Sequence, residues 1–386
     1  MRVLLLTGKG GVGKTSLAGA TALGAAARGH RVFLLSTDAA HSLGDSFGRR
    51  IGARPVEVAP GVLAQEVGVL DELDRAWSEI QGWLRELLRE ETAEVVAEEL
   101  LVFPGMEELV SLRAVREVEA TGEFDVCVVD CAPTGDTLRM LRFPDALRIF
   151  MENFWEMKRR GLRVLRPVVN RIFPGRLIPE EEFFDAFERL YREVEDVRQI
   201  LLDGDRTTAR LVVNPARVVV EETRRSFAYL SLYGVATDAV LVNRVLPGDA
   251  AGGYFARWAE REARELEEIR ASFPIPIFRA PLHPQEVVGV EALGQLAAEV
   301  YGERDPAEIF TRARPIRLRK HAGRTLLEID LPGASKEELT VHVHGERLLV
   351  RVRDAERAIT LPGSVAGRPV IGAQLEGGVL EVVFGP

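Results

Sequence analysis

The segment Gly8–Thr15 constrains the fold of this chain more than any other part of its sequence. It reads G-K-G-G-V-G-K-T, which satisfies the phosphate-loop pattern G-x-x-x-x-G-K-[ST]. It follows the apolar run Val3–Thr7 directly and precedes an apolar helical stretch. In such a loop the glycines let backbone N–H groups approach phosphate oxygens, and the N-terminus of the following helix adds a favourable dipole. The sequence therefore predicts a P-loop that binds a nucleoside triphosphate.

Two side chains of this loop carry its chemistry. Lys14 is expected to contact the β- and γ-phosphates, and the hydroxyl of Thr15 is expected to ligate Mg²⁺. We therefore predict an ATPase whose cofactors are ATP and Mg²⁺. The loop residues predicted to contact the nucleotide are Gly8, Lys9, Gly10, Gly11, Val12, Gly13, Lys14, Thr15 and Ser16.

The first 310 residues or so alternate short apolar runs with helical stretches, which is typical of a mostly parallel sheet covered by helices. Two long helical regions, Asp71–Leu101 and about Phe143–Asp203, interrupt this alternation. We predict an α/β P-loop NTPase with helical subdomain insertions at about 71–120 and 143–205. The expected strands are Val3–Thr7, Val32–Thr37, Val126–Asp130, Arg210–Asn214, Ala239–Asn243 and Ile275–Phe278.

After Tyr301 the pattern changes to short β-rich runs separated by turns. Pro-Gly and Gly-Gly pairs divide the runs, which is typical of an antiparallel sandwich. We therefore place an ATPase domain at residues 1–312 and an all-β sandwich at residues 313–386. The expected strands of the sandwich are Thr325–Ile329, Thr340–Val343, Leu348–Val352 and Val379–Phe384.

The composition argues against several classes of protein. The formal net charge of −9 does not suit a nucleic-acid binder, because phosphate contacts need clustered positive charge. No run approaches the ~20 apolar residues of a membrane-spanning helix, and we find no export signal, so a cytoplasmic setting is expected. The two cysteines, Cys127 and Cys131, exclude a disulfide scaffold and lack the second ligand pair of a structural zinc site.

Two further motifs place carboxylates at the ends of predicted strands, where nucleotides bind in open α/β sheets. Ser36–Phe47 reads S-T-D-A-A-H-S-L-G-D-S-F, and Asp130–Arg139 reads D-C-A-P-T-G-D-T-L-R. Together with the phosphate loop, these motifs resemble the arsenite-pump ATPase family, which includes the targeting ATPase for tail-anchored membrane proteins. The resemblance spans roughly residues 1–310 and rests on three motifs in order.

The resemblance implies roles for residues outside the loop. Asp45 resembles the switch residue that positions the attacking water, and Asp38 and Asp130 resemble outer-sphere ligands of magnesium. Spacing alone leaves Asp38 and Asp45 as alternatives for the catalytic carboxylate. Asn243 matches the family's adenine-recognising asparagine, and Pro281-Leu282 resembles its adenine-side loop.

Lys9 is a second lysine within the phosphate loop. K-G-G-V-G-K-T is the deviant Walker A form of a subclass of dimeric ATPases, in which the extra lysine reaches the nucleotide of the partner subunit. The resemblance therefore implies a homodimer whose closure is coupled to ATP. It also implies that Lys9 acts in catalysis beside Lys14.

The C-terminal segment resembles a second family, the α-crystallin domain of small heat-shock proteins. The matching residues include L-P-G at Leu331–Gly333 and A-Q-L-E-G-G-V-L at Ala373–Leu380. The chain has one ATPase half, no cysteine cluster for metalloid, and no C-x-x-C zinc pair. This combination resembles the bacterial and plastid branch of tail-anchored-type ATPases.

A basic amphipathic stretch, Phe150–Phe173, is of the kind that docks apolar partners, although it could equally pack within its own subdomain. We expect a dimeric ATPase that couples nucleotide-driven change to binding or delivery of hydrophobic, membrane-protein-like clients. A membrane partner protein is left open. The alternatives are the energising subunit of an arsenite or anion efflux pump, and a partition- or positioning-type ATPase that shares this loop.

Overall fold

The structure is a computed structural model that describes residues 1–38, 42–67, 106–132, 181–248, 253–321 and 324–385. The predicted helix Asp71–Leu101, the stretch Phe150–Phe173 and most of the motif Asp130–Arg139 lie outside the described residues. The described chain forms an α/β domain followed by an antiparallel β-sandwich, which confirms the predicted fold class.

A single sheet forms the centre of the α/β domain. Its strands are β1 (Arg2–Thr7), β2 (Val32–Ser36), β3 (Val56–Ala59), β4 (Val62–Glu66), β5 (Val126–Asp130), β6 (Thr207–Val213), β7 (Thr237–Val245) and β8 (Ile277–Pro281). Their order is β3-β4-β2-β5-β1-β6-β7-β8, and all neighbours are parallel except β3 and β4. The central strands are buried almost throughout, which explains why they are recognisable as uninterrupted apolar runs.

The register of three central strands places the sequence motifs at one edge of the sheet. Leu6 of β1 and Ser36 of β2 both pair with Asp130, the last residue of β5. The phosphate loop leaves β1 here, and the motif Ser36–Phe47 leaves β2. Because parallel strands end at the same edge, the motifs meet there although they are far apart in sequence.

Helices cover both faces of this sheet. They are α1 (Lys14–Ala26), α2 (Ser42–Phe47), α3 (Met106–Thr121), α4 (Glu181–Leu202), α5 (Arg217–Tyr233), α6 (Ala256–Ser272) and α7 (Val290–Tyr301). On one face α1 and α7 bury Leu17 and Leu293, and on the other α4, α5 and α6 bury Val197, Leu230 and Ile269. Within the described ranges, no helix has the length and apolar character needed to cross a membrane.

The observed elements differ from the predicted ones mainly at the edges of the sheet. The antiparallel pair β3 and β4 was not predicted, because V-E-V-A and V-L-A-Q-E are short and only partly buried. β6 begins at Thr207, before its predicted start, and β8 ends at Pro281 rather than Phe278. The predicted helical region about Phe143–Asp203 is confirmed where it is described, as α4.

The sandwich consists of two antiparallel sheets. Its strands are β9 (Ile316–His321), β10 (Arg324–Asp330), β11 (Leu339–His344), β12 (Arg347–Val352), β13 (Ala355–Thr360), β14 (Val370–Glu376) and β15 (Val379–Phe384). One sheet has the order β14-β15-β10-β9 and the other β11-β12-β13. The four predicted strands correspond to β10, β11, β12 and β15. The other three carry charged or small side chains, which conceal the apolar alternation.

The apolar core of the sandwich extends into the α/β domain. Tyr229 and Leu232, near the end of α5, lie in the same buried cluster as Leu327, Ile329 and Leu348 of the sandwich. Leu232 is 0% exposed. One helix of the preceding domain therefore completes the core of the sandwich.

Polar contacts reinforce this junction. The buried guanidinium of Arg357 in β13 donates a hydrogen bond to the carbonyl oxygen of Leu232 at 2.6 Å. The hydroxyl of Tyr233 donates to the carbonyl oxygen of Glu356 at 3.1 Å. Packing and hydrogen bonds therefore cross the predicted boundary at residues 312–313.

A fully buried arginine fixes the connector between the two domains, which comprises residues 302–315 between α7 and β9. The guanidinium of Arg210 in β6 lies 3.2 Å from the carboxylate of Asp238 and 4.4 Å from the ring centre of Phe310. It also donates to the carbonyl oxygen of Glu308 at 3.1 Å. Buried charges need partners of this kind to offset desolvation. The connector is thus held against the sheet before the sandwich begins.

Replacing Leu232 with alanine tests whether α5 completes the core of the sandwich. In the full chain, Leu232→Ala should lower the free energy of unfolding by about 2–5 kcal/mol, because it removes a buried leucine side chain. In a chain that ends at residue 312, position 232 would face water and the same change should cost about 0.5 kcal/mol or less. Urea denaturation followed by circular dichroism measures both values. If Leu232→Ala lowered the free energy of unfolding equally in the two chains, Leu232 would contribute to the core of the α/β domain alone.

Candidate nucleotide-binding site

The phosphate loop joins β1 to α1 through two glycines that allow close approach of other groups. Gly13, the N-cap of α1, has φ 91°, and a Cβ there would lie 2.2 Å from Nδ2 of Asn243. A Cβ on Gly8 would lie 2.3 Å from the carbonyl oxygen of Val212. No side chain caps the N-terminus of α1. Because the first N–H groups of a helix need acceptors, this end of α1 suits an anion.

Lys14 and Thr15 begin α1 at the base of the loop. Lys14 is 6% exposed, and its Nζ lies 3.5 Å from the carbonyl oxygen of Lys9, which is a long hydrogen bond. The hydroxyl oxygens of Thr15 and Ser42, the first residue of α2, lie 3.0 Å apart. Since a buried ammonium ion is costly without an anionic partner, the position of Lys14 favours phosphate binding.

Asp130 is the most perturbed acid of the site. It is 0% exposed, and its Oδ2 accepts a weak hydrogen bond from the Ser36 hydroxyl at 3.5 Å. Burial raises the pKa of Asp130 to about 7. The hydroxyl of Thr15 and the ammonium of Lys14 oppose that rise, and the charge of Asp38 adds to it. Its Oδ1 is buried and accepts no hydrogen bond from the described residues.

These groups fit a hydrated magnesium ion held together with a nucleotide. Mg²⁺ keeps several waters and is usually bound by one or two carboxylates and substrate phosphates. The Thr15 hydroxyl and the unsatisfied Oδ1 of Asp130 offer oxygen atoms at the base of the loop, with the charge of Asp38 nearby. The described ranges contain no cluster of three or more His, Cys, Asp or Glu side chains able to hold a metal. Thr15, Asp38 and Asp130 remain the predicted magnesium ligands.

A cavity of about 550 Å³ opens beside the loop. It lies between α1, α2, the end of β7 and the segment after β8, and its volume is typical of small-molecule sites. Six residues predicted from separate parts of the sequence line it: Gly13, Ser16, Asp45, Asn243, Pro281 and Leu282. The structure brings these residues together, while the role of each stays a prediction.

Asn243 holds the phosphate loop in this arrangement. Its Nδ2 donates to the carbonyl oxygen of Val12 at 2.8 Å, and its Oδ1 accepts from the backbone N–H of Arg244 at 2.9 Å. Arg244 has φ 60°, a left-handed conformation that is uncommon outside glycine. Because the amide nitrogen carries two N–H donors and the oxygen two acceptor positions, Asn243 can keep both of these bonds and still contact an adenine.

Two carboxylates that hold the site were missed by sequence analysis. Oε1 of Glu66, at the end of β4, accepts the backbone N–H of Gly44 in α2 at 3.0 Å. Oε2 of Glu222 in α5 lies 3.0 Å from Nζ of Lys9. Glu66 lies at the end of β4, so it could be identified as a site residue only if that strand had been predicted. Glu222 belongs to no local sequence motif.

Both cysteines are buried in the sheet beside the site. Burial raises the pKa of Cys127 to about 12 and raises that of Cys131 further. The thiolate is the form that acts as a nucleophile or metal ligand. Neither cysteine is therefore poised to bind a metalloid at neutral pH, and the sequence contains no third one.

Comparison with known proteins identifies two regions of similarity. Residues 1–302 match a family model described as an anion-transporting ATPase, and residues 322–384 match an HSP20-like domain found in ArsA. A "Putative arsenical pump-driving ATPase" of Prosthecochloris vibrioformis is 36% identical over 95% of this chain and 92% of its own length. An uncharacterized protein of Streptomyces coelicolor is 34% identical over 100% of this chain and 98% of its own length. The ATPase GET3C of Arabidopsis thaliana is 29% identical over 75% of this chain and 79% of its own length.

The raised pKa of Asp130 predicts how Asp130→Asn changes stability in the absence of metal and nucleotide. A carboxyl group whose pKa rises from 3.8 to about 7 on folding binds its proton more tightly in the native state. The native state therefore loses stability between about pH 4 and pH 7. Asparagine has the same shape and no charge, so Asp130→Asn should stabilise the protein by an amount that grows toward about 4 kcal/mol over this range.

Chemical denaturation of both proteins at about pH 5 and pH 8 measures the effect. Asp45→Asn removes an exposed carboxylate and serves as the matched control. A difference between wild type and Asp130→Asn that does not depend on pH would contradict the burial of a charge at this position.

Proposed function

Because the chain belongs to the anion-transporting ATPase family, we propose that it hydrolyses ATP as a homodimer and uses the resulting opening and closing to bind or deliver hydrophobic protein clients. The observation that carries the ATPase activity is the convergence of Lys14, Thr15 and the unsatisfied Asp130 at the base of the phosphate loop. The proposed setting is the cytoplasm, and a membrane partner protein fits the same scheme.

Phosphoryl transfer depends on positioning and on neutralising charge. Lys14 binds the β- and γ-phosphates, and the N-terminus of α1 and the loop N–H groups orient them. The hydroxyl of Thr15 and the carboxylate of Asp130 would hold Mg²⁺ at the base of the loop. Bound Mg²⁺ supplies the charge that neutralises the β- and γ-oxygens. The burial of Asp130 strengthens these contacts because little water competes with them.

We propose Asp38 as the carboxylate that orients the attacking water. The family resemblance implied Asp45 for this role, and spacing alone left Asp38 as the alternative. Both Asp38 and Lys14 shift the pKa of Asp130, so Asp38 lies within electrostatic reach of the residues proposed to bind Mg²⁺ and the terminal phosphate. Asp45 is exposed and lines the cavity with Asn243. This position suits a contact with the nucleoside or with a second subunit better than one with the water.

The distribution of exposed apolar side chains supports a homodimer at the nucleotide edge. Large apolar side chains are exposed in the segments that follow β6, β7 and β8, all at the carboxyl edge of the sheet. They are Val218, Tyr254, Phe255, Trp258, Leu282, Val288 and Val290. Apolar patches of this kind usually mark contact surfaces. A second copy facing this edge would bring Lys9 toward the other subunit's nucleotide.

A client role is favoured over the two alternatives by the HSP20-like domain and by the state of the thiols. The relatives named as arsenical pump-driving ATPases support the pump alternative. However, an arsenite-binding site needs accessible thiolates, whereas Cys127 and Cys131 are buried with raised pKa values. A partition-type ATPase would not need the C-terminal sandwich, which shares a core with this domain.

Asp38→Asn and Asp45→Asn separate the two candidates for the catalytic carboxylate. Asp38→Asn should bind Mg·ATP normally and slow single-turnover hydrolysis by about 10²–10³-fold, because an amide is not a base and orients water less strongly. Asp45→Asn should slow it by less than about tenfold. Rapid-quench measurement with excess enzyme gives the rate of the chemical step. Lys14→Ala should lose tight ATP binding altogether and serves as the negative control. If Asp45→Asn slowed hydrolysis more than Asp38→Asn did, Asp45 would be the carboxylate that orients the attacking water.

A fluorescent peptide with an apolar segment of ~20 residues tests the client role. It should bind saturably, with an affinity that differs by at least about tenfold between the ATP-bound Asp38→Asn protein and the ADP-bound wild type. The same peptide with its apolar residues interspersed with charged ones should not bind. Fluorescence anisotropy measures both. Arsenite-stimulated ATP turnover without peptide binding would favour the pump alternative instead.

A further inference from the structure

Lys9 is already engaged within its own chain. Its Nζ lies 3.0 Å from Oε2 of Glu222, with the two side chains 37% and 31% exposed. Glu222 belongs to α5, which follows β6 and begins at the same edge of the sheet as the phosphate loop. The lysine that the proposed function assigns to the partner subunit's nucleotide is therefore held by an acid of its own subunit.

We infer that Glu222 is a positioning residue for Lys9, which it holds in its own subunit until a partner's phosphates compete for the ammonium. The inference rests on the proposed function, because it gives Lys9 its role across the dimer. Before closure, Lys9 pairs with Glu222; on closure, the ammonium leaves the carboxylate for phosphate oxygens. Glu222 touches neither substrate nor reacting atoms, and it acts only through Lys9.

The partial exposure of Lys9 and Glu222 determines how strongly this ion pair is stabilised. Partly exposed ion pairs bias an equilibrium by no more than about fivefold, whereas a phosphate group binds an ammonium more strongly. Glu222 therefore delays the transfer of Lys9 without preventing it. A deeply buried pair at this place would trap the lysine, and no pair would leave it free to contact other anions.

The position of Glu222 is fixed from the far end of its helix. Tyr229, Leu232 and Tyr233 anchor the last turns of α5 in the core of the sandwich and in its backbone hydrogen bonds. The same helix packs on the sheet through Val220 and Leu230. The carboxylate of Glu222 is thus presented to the loop by a helix that is held on two sides.

The neighbouring acid provides a matched control. Glu221 pairs with Arg224 on its own helix at 2.6 Å and makes no ion pair with Lys9. Glu221→Gln and Glu222→Gln therefore make the same change of charge at adjacent positions of α5. Only the second should release Lys9.

The test is the steady-state ATPase activity of the full chain over a range of Mg·ATP concentrations. Glu222→Gln should lower KM by about two- to fivefold with little change in kcat, because released Lys9 binds phosphate more readily. The difference should shrink in about 0.5 M salt, which screens exposed pairs. Glu221→Gln should leave KM unchanged, and Glu222→Asp, which keeps the charge, should fall between Glu222→Gln and wild type.

The same measurement in a Lys9→Ala background shows whether Glu222 acts through the lysine. There, Glu222→Gln should have no effect. The inference would be overturned if Glu222→Gln lowered KM equally in the Lys9→Ala background. It would also be overturned if Glu222→Gln alone left KM unchanged or raised it. Lys9→Ala alone tests the proposed function: wild-type kinetics would remove both the role of Lys9 and that of Glu222. Impaired Lys9→Ala with a silent Glu222→Gln would overturn the role of Glu222 only.

Discussion

The site depends on a carboxylate that the fold buries before any ligand arrives. The register of β1, β2 and β5 places Asp130 beside Ser36 and Leu6, at the centre of the sheet and out of contact with water. An acid in such a place is stable only if it keeps its proton or gains a cation. Lys14 supplies part of the compensation, and the unsatisfied oxygen of Asp130 remains for a hydrated ion. Under the proposed function, binding of metal and nucleotide would offset this cost of burying the charge.

The sequence was informative wherever a local pattern and a buried environment coincide. The strands β1, β2, β5, β6 and β7 lie inside a parallel sheet, so that uninterrupted apolar runs mark them, and the phosphate loop is defined by its own glycines. The edge strand β3 and its neighbour β4 are short and half-polar, and nothing in V-E-V-A distinguishes a strand from a loop. β9 and β14 were missed for the same reason, since each faces water along much of its length.

Contacts between distant segments could not be predicted from one sequence. Glu222 resembles any acid on the polar face of a helix, and its pairing with Lys9 depends on how α5 packs beside β6 and β7. Asn243 was predicted as an adenine contact, yet only the structure shows that its amide is bound to the phosphate loop. The sequence also does not show that Tyr229 and Leu232 lie on a face of α5 that packs against the sandwich.

Because α5 packs against both the central sheet and the sandwich, the α/β domain depends on the segment that follows it. A C-terminal segment that makes no contact with the preceding domain can be removed by a single stop codon without destabilising that domain. Here the fused segment covers an aromatic and an aliphatic side chain of its host. Loss of the sandwich would expose Tyr229 and Leu232 to water unless polar residues had replaced them first. Losing the second fold would therefore destabilise the first, because the α/β domain relies on the sandwich to keep Tyr229 and Leu232 out of water.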